Sequence, residues 1–124
     1  MVWSRKAKLD FYWARRRAAK ATYVKHAKTL GVSTKRAAKK AAKDVSRAYA
    51  RRKEGYKKIN KMSREIQKLS SKSDLTPRQQ RKLEVLLSRQ STAIGKVNEQ
   101  WLEFERQIEF KPIGADSERA QRQS

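Results

Sequence analysis

Apolar positions recur along this chain at steps of three and four. The β-branched residues never alternate with polar ones, so the pattern predicts helices and no strands. The first helix is expected from about Ser4 to Leu30, with Ser4 suited to the N-cap and Gly31 to the left-handed position that closes a helix. The second restarts after Val32, with Ser33 or Thr34 as its cap, and continues to about Ser71, a length of roughly 60 Å at the standard rise. The polar stretch from Ser70 to Asp74 reads as a turn. Thr76-Pro77 joins a capping hydroxyl to a proline at the first helical position and opens a third helix that extends to about Phe110. Lys111-Pro112-Ile113-Gly114 stops it, and residues 115–124 read as a polar tail. The expected fold is all-α: a helical hairpin preceded by a basic N-terminal helix, completed by dimerisation or assembly.

The three helices are patterned differently. In the second, Ala38, Ala42, Val45, Tyr49, Tyr56 and Ile59 form one narrow seam that Arg52 interrupts. Arg36, Lys40, Lys43, Arg47, Arg51, Lys58 and Lys61 project within an arc of roughly 80° on the other side, with Lys39 beside them. A solvated face of mixed charge would be laced with i,i+4 acid–base pairs, but this face carries one acid, Glu54. Its cations therefore point to a polyanion. In the third helix, Leu83, Leu87, Gln90, Ile94, Val97, Trp101, Phe104 and Ile108 make a heptad seam for packing or assembly, with mixed charges outside it. The seam's partner is either the second helix or another chain, and Gln90 is either a register-setting polar residue or an edge position. The first helix has no single apolar face. Ala7, Phe11, Ala14, Ala18 and Ala21 form one stripe, and Leu9, Trp13, Val24 and Ala27 lie opposite, with cations distributed between them. A helix touched on all sides is normally buried, and its cations would then need an adjacent anion. That places this helix between nucleic acid and neighbouring subunits, or makes it an arm that becomes helical on binding. Its aromatics, Trp3, Tyr12, Trp13 and Tyr23, fit packing anchors better than base-stacking platforms.

Charge sharpens this picture. The 124 residues hold 33 Lys and Arg against 12 Asp and Glu, a formal charge of +21. Residues 1–72 carry 24 of the cations and four acids, whereas residues 73–124 carry nine and eight. The chain thus reads as a strongly basic helical part over 1–72, a nearly neutral amphipathic helix over 73–114 and the tail. A field of this size attracts polyanions, nucleic acid first and an anionic membrane surface second. A membrane is disfavoured, because cations surround the first helix instead of occupying one polar face. Of 46 apolar residues only 31 are larger than alanine, too few for a self-sufficient core to be expected.

No enzymatic chemistry is legible. Cysteine is absent, and the one histidine, His26, sits among lysines with no carboxylate close in sequence. There is no phosphate-binding glycine loop, no metal-ligand spacing and no paired catalytic carboxylates, so neither cofactor nor metal is expected. No apolar run approaches a membrane span, and the N-terminus shows no signal-peptide core, which leaves a virion or an intracellular nucleoprotein as the expected location. The segment from Leu75 to Leu86 resembles the opening helix of the helix-turn-helix in response-regulator transcription factors. The helical pattern then continues through Gly95, where the turn and recognition helix should come.

The candidate nucleic-acid-binding residues are Arg5, Lys6, Lys8, Arg15, Arg16, Arg17, Lys20, Lys25, Lys28, Arg36, Lys39, Lys40, Lys43, Arg47, Arg51, Lys58 and Lys61. They extend over a long stretch with no compact reading head, which suits non-specific backbone contact. Neutralising the whole charge takes about 21 phosphates, or about 10 base pairs of duplex. In size, in its Arg- and Lys-laden helices from Arg5 to Lys72, and in its amphipathic helix from Pro77 to Phe110, the chain resembles the major capsid proteins of filamentous archaeal viruses. The resemblance implies helical subunits that pair and wrap duplex DNA into a filament. Duplex DNA is the favoured partner, with homo- or hetero-oligomerisation among related subunits. The alternative is an RNA-bound structural component of a ribonucleoprotein, such as a ribosomal protein.

Overall fold

The computed structural model describes residues 3–111. They form three α-helices and no strand: α1 (Arg5–Leu30), α2 (Thr34–Ser70) and α3 (Pro77–Gln107). The all-α fold is the one expected. Pro112-Ile113-Gly114 and the polar tail lie outside the described residues.

The caps explain the boundaries. Ser4 is extended, and its hydroxyl accepts the amide of Ala7 at 3.1 Å. Gly31 closes α1 with φ +69° while the Val32 amide returns to the carbonyl of Ala27. The Ser33 hydroxyl accepts the amide of Arg36. At α3, Thr76 and Gln79 cap reciprocally: the Gln79 amide donates to the Thr76 hydroxyl, and the Thr76 amide donates to the Gln79 side chain. α3 ends at Gln107, earlier than expected. Glu109 takes a left-handed φ of 51°, and the Phe110 amide bonds back to Glu105, so a Schellman turn stops the helix before Lys111.

The chain divides into two compact units, one built from the described residues up to Ser46 together with those from Phe104 onward, the other from Arg47–Glu103. In the first unit, Ala19, Ala27 and Ala41 are almost fully buried, and Val45, Phe104 and Ile108 fill the space around them. Alanine at the contact positions lets the backbones come close. Two hydroxyls inside find partners: that of Thr22 donates to the Ile108 carbonyl at 2.6 Å, and that of Tyr23 donates to Asp44 at 2.7 Å. Within the chain, α1 is enclosed along one stripe. Arg15, Ala19, Thr22 and Ala27 are its buried positions, while Leu9 and Trp13 remain 48% and 45% exposed. One stripe of α1 meets α2 and the segment after Phe104, and the other faces lie open.

The second unit is a helical hairpin of α2 and α3 with Ile59, Leu69, Leu86 and Trp101 buried. The packing is within the chain: Tyr49 meets Trp101 edge-on at 5.2 Å, and Gln90 donates to the Ser63 hydroxyl at 2.5 Å. Arg52, the cation that interrupts the α2 seam, lies over the Trp101 ring at 4.4 Å, so its charge is held by an aromatic face. The α3 seam differs from expectation in its middle. Leu83, Gln90, Val97 and Trp101 face inward as expected, but Leu86 and Ala93 take the places assigned to Leu87 and Ile94, which are 48% and 37% exposed. Both pairs flank the line through residues 83, 90 and 97, and α2 covers the flank that carries the smaller side chains.

Candidate nucleic-acid interface

In the first unit, the α1 cations Arg5, Lys6, Lys8, Arg17, Lys20, Lys25 and Lys28 are exposed, as are Arg36, Lys39, Lys40 and Lys43 of α2. Lys28 lies in the last turn of α1, where the helix dipole favours a cation. Arg15 is the exception. It is buried, hydrogen-bonds Glu105 at 3.0 Å, and lies between the rings of Phe11 and Phe110 at 3.6 and 3.9 Å. Its anion is a carboxylate of this chain, so it is removed from the phosphate-binding candidates. The ion pair is part of the core: two charges withdrawn from water are tolerated because they face each other and the guanidinium is sandwiched by aromatic faces.

Arg16 and Arg17 diverge from Arg15 within one helical turn. With Trp13 and Lys20 they form an i, i+3, i+4, i+7 face of α1. That face and Ala38, Lys39 and Ala42 of α2 line an open cleft of about 420 Å³. Arg16 lies over the Trp13 ring at 4.8 Å, and Tyr12 meets the same ring edge-on at 5.6 Å. The lining holds four cations and no carboxylate. Sequence reasoning selected the cations but treated Trp13 as a packing anchor and Ala38 and Ala42 as seam. The signal that joins them is the spacing of Trp13 with Arg16, Arg17 and Lys20 on one face, together with small residues on the facing helix.

In the second unit, Arg47, Arg51, Lys58 and Lys61 are exposed as expected, and Lys53, Lys57, Arg64 and Lys68 widen the basic surface. Two acids, Glu54 and Glu65, accompany them. The second unit also leaves Val85, Leu87, Ile94 and Leu102 of α3 exposed.

His26 has a carboxylate that the sequence did not reveal, Glu109 at 3.7 Å across exposed surface. No group of three or more His, Cys, Asp and Glu able to hold a metal occurs among the described residues. No described helix is long and apolar enough to cross a membrane. Comparisons with protein-family models, with curated proteins and with solved structures find no match.

Proposed function

We propose that this chain is a non-enzymatic structural protein that coats duplex DNA through non-specific phosphate contacts and self-assembles, as a viral capsid or other nucleoprotein subunit. The observation that carries this reading is the exposed basic surface of α1 and α2, whose cations outnumber the acids near them. Such a surface is self-repelling alone and is neutralised by a polyanion. The spread of the cations along two long helices favours contact with a backbone over the reading of bases. The near-neutral α3 offers the place for copies to meet. Leu87, Ile94 and Leu102 form its exposed apolar flank, so they replace Val97 and Trp101, which pack within the chain, as the assembly residues to test.

Two measurements test the proposal. Electron microscopy of the protein with duplex DNA should show regular filaments of constant width, whereas order with RNA alone would favour the ribonucleoprotein reading. Equilibrium binding across salt concentrations should give a steep slope. Replacing Arg36, Lys40, Lys43 and Arg47 by glutamine should lower that slope by up to about 3.6, the share of four phosphate contacts. An unchanged slope removes this face from the interface. Leu87 and Ile94 replaced by serine should abolish filaments and leave the binding of single copies intact.

A further inference from the structure

The cleft of the first unit does more than add positive charge. Its cations, Arg16, Arg17, Lys20 and Lys39, surround an apolar surface made by the half-exposed Trp13 ring and the methyl groups of Ala38 and Ala42. A phosphate backbone alone would satisfy the cations and leave the aromatic surface without a complement. A nucleotide supplies both, a flat base for the ring and phosphates for the cations. The volume of about 420 Å³ falls in the usual range of small-ligand sites, about 300–1,000 Å³. Bases in a duplex have their faces covered by their neighbours, so only an unpaired nucleotide can present one. Arg16 over one part of the Trp13 system and Tyr12 at its edge hold the ring in place before any ligand arrives.

We propose that this cleft binds one unpaired nucleotide of a single strand, with the base against Trp13 and the flanking phosphates held by Arg17, Lys20 and Lys39. The inference rests on the reading that the chain binds nucleic acid, and it adds single-stranded polynucleotide to the ligands. A free mononucleotide carries the same base and a phosphate, but a strand brings phosphates on both sides of the base to a cleft with several cations.

The test compares oligothymidylate, an abasic oligonucleotide of equal length and a duplex by fluorescence anisotropy of the labelled strands, using the full chain. Oligothymidylate and the abasic strand carry the same phosphates, so their ratio isolates the base. Oligothymidylate should bind about 5- to 150-fold more tightly than the abasic strand, the usual contribution of one base stacked on an aromatic side chain. Trp13→Ala should bring oligothymidylate to the abasic level without weakening the abasic strand or the duplex, and Trp13→Phe should keep part of the difference. Equal affinity of the wild-type protein for the two single strands overturns the cleft assignment and leaves nucleic-acid binding standing. A loss on all three ligands in Trp13→Ala overturns it too, since the ring would then be structural. Competition by thymidine monophosphate as effective, per nucleotide, as that by the strand overturns the strand assignment. Absence of binding to every polynucleotide refutes the nucleic-acid reading itself.

Discussion

Arg15 makes a core ion pair with Glu105, Arg16 lies over a Trp13 ring that stays half-exposed, and Arg17 is exposed at the cleft, although the three are adjacent in sequence. Successive residues of a helix are about 100° apart, so a basic triplet cannot share one fate. The carboxylate that claims Arg15 lies 90 residues away, which is why periodicity placed the triplet on α1 but could not remove one member from the interface. Tyr23 is another residue whose environment the sequence hid. Burial first, and then the carboxylate of Asp44, push its hydroxyl up to about 12. The folded value lies above the unfolded value of about 10, so the neutral hydroxyl's contribution to stability is whole below pH 10 and is lost as pH rises towards 12. In a phenolate absorbance titration, Tyr23 should ionise late, towards pH 12, and Tyr23→Phe should remove that late step. Loss of a step near the usual value in Tyr23→Phe, in place of the late one, would contradict the Tyr23–Asp44 contact.

At the scale of elements, all three helix starts were legible because each is fixed by local chemistry, a hydroxyl or proline within a few residues. The end of α3 was not, because a glutamate takes the left-handed place usually given to glycine. The seam of α3 was legible at residues 83, 90, 97 and 101 and illegible at the positions between. Two flanks of one helix were both apolar, and the choice of flank belongs to α2. Two glycines show how packing outweighs propensity. A Cβ on Gly95 would meet nothing within 4 Å, whereas one on Gly55 would overlap a methyl group of Val97. Gly95→Ala should therefore stabilise by about 1 kcal/mol through helix propensity alone. Gly55→Ala gains the same propensity but forces Val97 aside at about 1–3 kcal/mol, so it should destabilise by up to about 2 kcal/mol. Urea unfolding of the two variants reads opposite signs, and Gly55→Ala combined with Val97→Ala should recover part of the loss. Equal effects of the two single changes would mean that Gly55 has room for a side chain.

For the whole chain, composition announced a cationic protein with few large apolar residues, and the helices bury few of those that exist. Val45 and Ile108 are the largest side chains fully withdrawn from solvent among the described residues. The basic surface was legible because charge asymmetry is a property of sequence. The cleft was not, since it needs Trp13 of α1 and Lys39 of α2 to line one space. The cation surface also makes electrolyte a determinant of folding, with a sign that depends on what is bound. In the free protein, dissolved ions weaken the mutual repulsion of the exposed lysines and arginines, so its melting temperature should rise as sodium chloride is added. In the presence of duplex DNA the bound state adds stability in proportion to its occupancy, and the same salt dissociates it, so the melting temperature should fall. Calorimetric scans of the two samples should approach each other from opposite sides and meet where the complex has come apart. Parallel curves would mean that the DNA does not bind the folded chain. With converging curves, salt acts as a stabiliser of the naked subunit and a solvent of its complex with DNA, and a single titration separates the two.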